Sequence, residues 1–175
     1  MKNMRIFSIL FLSVLLTFCG GKSDKDLFDN ALSNVDEKKY DEAVVLFEQL
    51  VNTNKESELA PKALFECAKI YQGQVVKNLT GKESLLKSVE FYKRIYDEYP
   101  KSKEAENSLF MAGFILANDL KDLNKAKEMY ETYIANFPDG ELSDDAKVEL
   151  QNLGKTPEEI LKEKVQEDSS NEKRI

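Results

Sequence analysis

Two short patterns alternate along residues 26–153, and a chain that repeats itself this way is committed to stacking similar units. The first pattern sets small residues at helical spacing. Ala60, Ala63, Cys67 and Ala68 return as Ala105, Ser108, Ala112 and Gly113, and more weakly as Ser143, Ala146, Leu150 and Gln151. Small side chains on one helix face let a second helix approach closely. The second pattern places a small residue four before an aromatic or large apolar residue and seven before another: Ala43, Phe47, Leu50; Ser88, Tyr92, Ile95; Ala126, Tyr130, Tyr133. Each set marks the buried stripe of one helix.

Eight residues after the aromatic stands Pro100 in the second copy and Pro138 in the third, where proline ends the helix; Lys55 holds that place in the first. From Ala43 to Ser88 is 45 residues and from Ser88 to Ala126 is 38, so the middle unit carries an excess. It falls in Gln72 to Ser84, which reads as a lengthened helix followed by a turn. Asp139-Gly140 reads as a turn leading into a last small-residue helix over Leu142 to Leu153, ended by Gly154. Thr156, Pro157 and Glu159 have capping-box spacing and start a C-terminal helix, assigned to 154–168, with a disordered tail at 169–175.

An all-α chain with small-residue first helices, aromatic second helices and a closing proline resembles the tetratricopeptide repeats. The likeness covers about three helix pairs, although the ideal first helix's tryptophan and Leu-Gly are replaced here by Cys67-Ala68 and Ala112-Gly113, and the ideal period is about 34 residues. It implies an α-solenoid with a C-terminal capping helix. Tyr99-Pro100 and Phe137-Pro138-Asp139-Gly140, each leading into an Ala/Ser-rich helix, are most similar to repeats of BamD-like outer-membrane assembly lipoproteins. Similar repeats occur in the periplasmic partner of the Tol-Pal system. The chain is shorter than the first family and lacks the N-terminal coiled coil of the second.

The amino terminus points the same way. Lys2 and Arg5 precede an uncharged apolar run from Ile6 to Phe18, followed by Cys19, Gly20 and Gly21. Helical, that run rises about 20 Å, short of a hydrocarbon core of about 30 Å, so it suits an export signal better than a permanent span. Leu16-Thr17-Phe18-Cys19-Gly20 resembles a bacterial lipobox, with Phe18 where the pattern usually has Gly, Ala or Ser. The expectation is a signal peptide over 1–18, lipid on Cys19, and a tether over 19–25. An ordinary secretory signal with an incidental cysteine is the competing assignment. Gly20 after the cysteine usually accompanies transport to the outer membrane, which would leave the domain facing the periplasm.

On a stack of this kind the first helices line a concave surface. Phe28, Phe65 and Phe110 occupy one phase there, each three before Ala31, Ala68 and Gly113. With Leu32, Lys69, Phe114 and Asn118 they form a candidate groove for an extended segment or helix of a partner. Filling contacts between adjacent first helices is the alternative role for these phenylalanines.

Composition excludes much else. The chain has no histidine, which removes the commonest general base and metal ligand. Cys19 and Cys67 are its only cysteines, too few for a structural zinc site. Neighbouring acids such as Glu104 and Glu106, or Asp144 and Asp145, read as solvated faces and helix-start charges. Net charge is -7, and -9 once Lys2 and Arg5 are gone, which disfavours nucleic acid. The expected protein is therefore no enzyme and has no cofactor, metal or small-molecule substrate. Its expected partners are envelope proteins or extended peptide segments, held near a membrane. The roles that fit are an envelope scaffold, possible in outer-membrane assembly, and a chaperone-like or Tol-Pal-type adaptor.

Overall fold

The computed structural model describes residues 22–172, so the segment 1–18, Cys19 and the last three residues lie outside the described part. Eight helices follow one another: α1 Asp24–Asp36, α2 Tyr40–Thr53, α3 Ala60–Gln72, α4 Gly81–Glu98, α5 Lys103–Asn118, α6 Leu123–Asn136, α7 Ser143–Asn152 and α8 Pro157–Glu172. From α1 to α7 each helix packs on the next, and α3 also packs directly on α5. This is an α-solenoid, in which each unit is stabilised by its neighbours.

Both sequence patterns are core. Ala43, Phe47 and Leu50 are fully buried, as are Ser88 and Ile95, with Tyr92 at 1% exposure and Ala126, Tyr130 and Tyr133 at 0%. The small residues of α3 and α5 are buried against them. Two serines of α4 tie it to α3: Ser88 Oγ donates to the Ala68 carbonyl at 2.8 Å and Ser84 Oγ to the Tyr71 carbonyl at 2.7 Å. A buried hydroxyl costs stability unless bonded, and these two are bonded.

Local chemistry fixes the helix starts. Ser23 and Asp26 form a capping box at α1, Thr80 and Glu83 another at α4. Thr156 and Glu159 exchange the same pair of bonds at α8, and Asp122 caps α6 through the Lys125 N–H. Gly154, at φ +81°, ends the α7 segment in the left-handed region that glycine enters freely.

Two elements differ from the sequence reading. The excess over Gln72–Ser84 does not lengthen α3, which stops at Gln72. It forms the loop 73–80, with Gln74 and Asn78 at positive φ, plus an extra first turn on α4, which has 18 residues against 14 in α2 and α6. The Thr80–Glu83 box starts α4 early, and the loop is tied down by half-buried Val76 and Leu79 and by the Lys77 N–H donating to Asp41 at 3.2 Å. The second difference is α8, which runs to Glu172, into the stretch read as a disordered tail. No glycine or proline interrupts Asp168–Glu172, so nothing there stops a helix already capped at its start.

Candidate interaction surface

Phe28, Phe65 and Phe110, the candidate groove residues, are half-buried, and each is held by the second helix of its own pair. Phe28 on α1 meets Phe47 edge-on at 5.4 Å between ring centroids, and Phe65 on α3 meets Tyr92 at 5.4 Å. Phe110 on α5 lies 5.8 Å from Tyr130 and 6.1 Å from Tyr133. The ring contacts thus run within a pair rather than between successive first helices. Such edge-to-face contacts favour one ring orientation over a sliding one.

One turn further along each first helix the side chains are open. Leu32 and Phe114 are each 36% exposed, Lys69 is exposed and paired with Glu66 at 2.9 Å, and Asn118 is exposed with its amide donating to the Phe114 carbonyl at 3.2 Å. The rungs on α3 and α5 stand on directly packed helices, whereas the α1 rung joins them through α2. The set is mixed: half-buried rings, with an aliphatic, a lysine, a phenyl and an amide one or two turns further along their helices. Asn118 also borders a cavity of about 550 Å³ with Lys121, Asn152 and Lys155.

Sequence reasoning passed over Val148. Val148 on α7 is 52% exposed and stands three before Gln151, as Phe110 stands three before Gly113. The weak third copy of the small-residue pattern carried that signal.

It also missed a polar junction. The Tyr133 hydroxyl donates to the Glu106 carboxylate and accepts from the Leu142 N–H at 3.0 Å, joining α5, α6 and the turn before α7. A Cβ on Gly140 would come within 2.5 Å of Glu106 Oε1 and 2.7 Å of the Tyr133 hydroxyl, so a side chain there would have to displace the ends of these two residues. Burial, assisted by the Glu106 hydrogen bond, pushes the Tyr133 phenol up to about 12. It stays protonated and positions the turn.

The remaining polar groups are structural in their surroundings. Cys67 is fully buried, and burial pushes its thiol up, which leaves no thiolate for chemistry. Asp144 is exposed and pairs with Lys147 at 2.9 Å. Among the described residues no group of three His, Cys, Asp or Glu side chains is placed to hold a metal ion, and no helix is long and apolar enough to cross a membrane.

Residues 107–140 match the tetratricopeptide repeat family. The matched segment begins inside α5 and ends at Gly140, so it covers one helix pair with its closing Pro138 turn. Among curated proteins none matches the chain. Residues 107–140 thus carry one such repeat, and tetratricopeptide repeats indicate a protein–protein interaction scaffold.

Proposed function

We propose that this chain is a non-catalytic, lipid-anchored scaffold of the bacterial cell envelope that holds protein partners in the groove formed by α1, α3 and α5. The observation that carries the reading is the recurrence, on three first helices, of a fixed half-buried ring beside an exposed contact residue: Phe28 with Leu32, Phe65 with Lys69, Phe110 with Phe114. A surface already rigid before the partner arrives loses little ordering entropy on binding. A lipid on Cys19 would confine that surface to a membrane and raise its effective concentration for partners there. The lipobox-like segment and Gly20 support placement at the outer membrane, and the likeness of the Pro100 and Pro138 turns to BamD-like lipoproteins supports a part in outer-membrane assembly.

The half-buried rings are poor test sites, because truncating Phe65 or Phe110 also removes packing against Tyr92, Tyr130 and Tyr133. Leu32 and Phe114 are better. Each is 36% exposed, so replacing both by Asp should lower stability by about 1–3 kcal/mol and leave the chain folded. Partners that co-purify with the wild-type chain from membranes should then be lost. Retention of the same partners by the Leu32→Asp, Phe114→Asp chain would move the binding surface elsewhere, and retention of many unfolded chains in place of one complex would favour a chaperone-like role.

Anchoring has its own readout. With Cys19→Ala, incorporation of labelled fatty acid should disappear and the chain should leave the membrane fraction. Undiminished label and sedimentation with membranes would mean that the lipid is not on Cys19.

A further inference from the structure

A cavity of about 730 Å³ opens between the α2–α3 and α4–α5 turns. Its wall carries charges of both signs. Lys55 and Lys101, Glu56 and Glu58 are all exposed and have no ion-pair partner among the described residues. Tyr99 and Ser102 line the same cavity half-buried, yet their hydroxyl oxygens are closed off from solvent and have no hydrogen-bond partner among the described residues. Buried polar groups are nearly always bonded, so two unbonded hydroxyls in one wall call for a reason.

The fold does not require them. Ser102 is the N-cap of α5, but its side chain makes no capping bond. At the next turn of the same kind Phe137-Pro138-Asp139-Gly140 stands in place of Tyr99-Pro100-Lys101-Ser102, and neither hydroxyl is there. Since an unbonded buried hydroxyl costs stability, a ligand accounts for the pair better than packing does. The two ends of the cavity also differ in field. Burial pushes the Tyr99 phenol up, and the Glu98 and Glu56 carboxylates add to this against the Arg94 guanidinium. Ser102 lies at the start of α5, where backbone N–H groups favour an anion.

The cavity lies at the end of the stack where the chain enters it. Asp24, the first residue of α1, accepts a hydrogen bond from the Asn54 amide at 2.7 Å, and Asn54 adjoins Lys55 of the cavity wall. Cys19 stands five residues before Asp24, a reach of at most about 18 Å. A lipid on Cys19 would bring this end of the stack, and the cavity with it, to the bilayer surface.

We propose that the cavity binds the headgroup of a zwitterionic phospholipid with a primary ammonium, of the phosphatidylethanolamine class. Lys55, Lys101 and the Ser102 hydroxyl take the phosphate; Glu56, Glu58 and the Tyr99 hydroxyl take the ammonium. The bilayer as source of this headgroup rests on the anchoring at Cys19 proposed above, whereas the headgroup chemistry does not.

Glycerophosphoethanolamine, the soluble headgroup, titrated into the full chain in detergent should shift the amide resonances of residues 99–103. Tyr99→Phe with Ser102→Ala should weaken that binding about tenfold or more, without lowering the melting temperature, because each loses a hydrogen bond to a charged group of the ligand and none within the chain. In vesicles, amide exchange over residues 55–58 and 99–103 should slow when phosphatidylethanolamine is mixed into phosphatidylglycerol. With Cys19→Ala that slowing should vanish while the soluble headgroup still binds. Absence of glycerophosphoethanolamine binding overturns the proposal, and so does equal binding by the double variant. Equal binding of inorganic phosphate would make this an anion site for free phosphate and overturn the zwitterion. Soluble-headgroup binding without slowing in vesicles overturns the bilayer as source, and slowing only while a co-purified protein stays bound would make the cavity a peptide site. Acyl label persisting on the Cys19→Ala chain would sink the anchoring alone, since titration with the soluble headgroup is read without it.

Discussion

Raising the pH from 9 to 12 should unfold the helix stack in one steep step. Tyr71, Tyr92, Tyr130 and Tyr133 are at most 7% exposed. Burial pushes Tyr71 and Tyr133 up to about 12, and Tyr92 and Tyr130 further in the same direction. In the unfolded chain each titrates near 10. Above that pH the unfolded state sheds protons that the folded state keeps, so stability is fully present below about pH 10 and falls as the pH rises toward the folded values. Each tyrosine contributes a slope of about 1.4 kcal/mol per pH unit at most. Four acting together remove several kcal/mol within one unit, against a typical total of about 5–15 kcal/mol. Helical circular dichroism and tyrosinate absorbance, followed together, check this. Most of the tyrosinate should appear with the loss of helix. Complete tyrosinate formation on a still-helical chain would show that the phenols titrate without unfolding.

Those tyrosines also show which parts of the fold were legible beforehand. The stripe positions Tyr92, Tyr130 and Tyr133 follow from spacing alone, because a helix buries what recurs at its own period, and they are buried as that spacing requires. That Phe65 and Phe110 share one helical phase was legible for the same reason. Their half-burial against Tyr92, Tyr130 and Tyr133 was not, since it depends on how one helix crosses the next. The Glu106–Tyr133–Leu142 junction likewise joins residues far apart in the chain. The excess over Gln72–Ser84 does not lengthen α3 because the Thr80–Glu83 box starts the next helix early. Val148 escaped notice because valine stands where α1, α3 and α5 carry phenylalanine.

The second large effect lies at a close approach of α5 and α6. Gly113 stands on α5 where α6 crosses it, and a Cβ there would sit 3.0 Å from Tyr130 Cε1 and 3.2 Å from both Met129 Cβ and Tyr130 Cδ1. Met129 Cβ is attached to backbone, and the Tyr130 ring is fully buried between Phe110 and its own helix, so neither side yields by a simple rotation. Gly113→Ala gains up to about 1 kcal/mol of helix propensity and loses a comparable amount to crowding. Gly113→Leu has no such balance. Its extra carbons must part α5 from α6 along the seam that Ala126 and Tyr130 fill, at a cost of about 3 kcal/mol or more. In a chain of this size that lowers the melting temperature by roughly 10 °C. Because contacts in a helix stack are mostly between neighbours, the damage should be local: amide exchange should accelerate in α5 to α7 while α1 to α3 keep more of their protection. Gly73→Ala is the control, since its Cβ would meet nothing closer than 3.4 Å, and it should melt at or slightly above the wild-type temperature. Equal melting of Gly113→Leu and wild type would mean that the α5–α6 seam is looser than these distances describe.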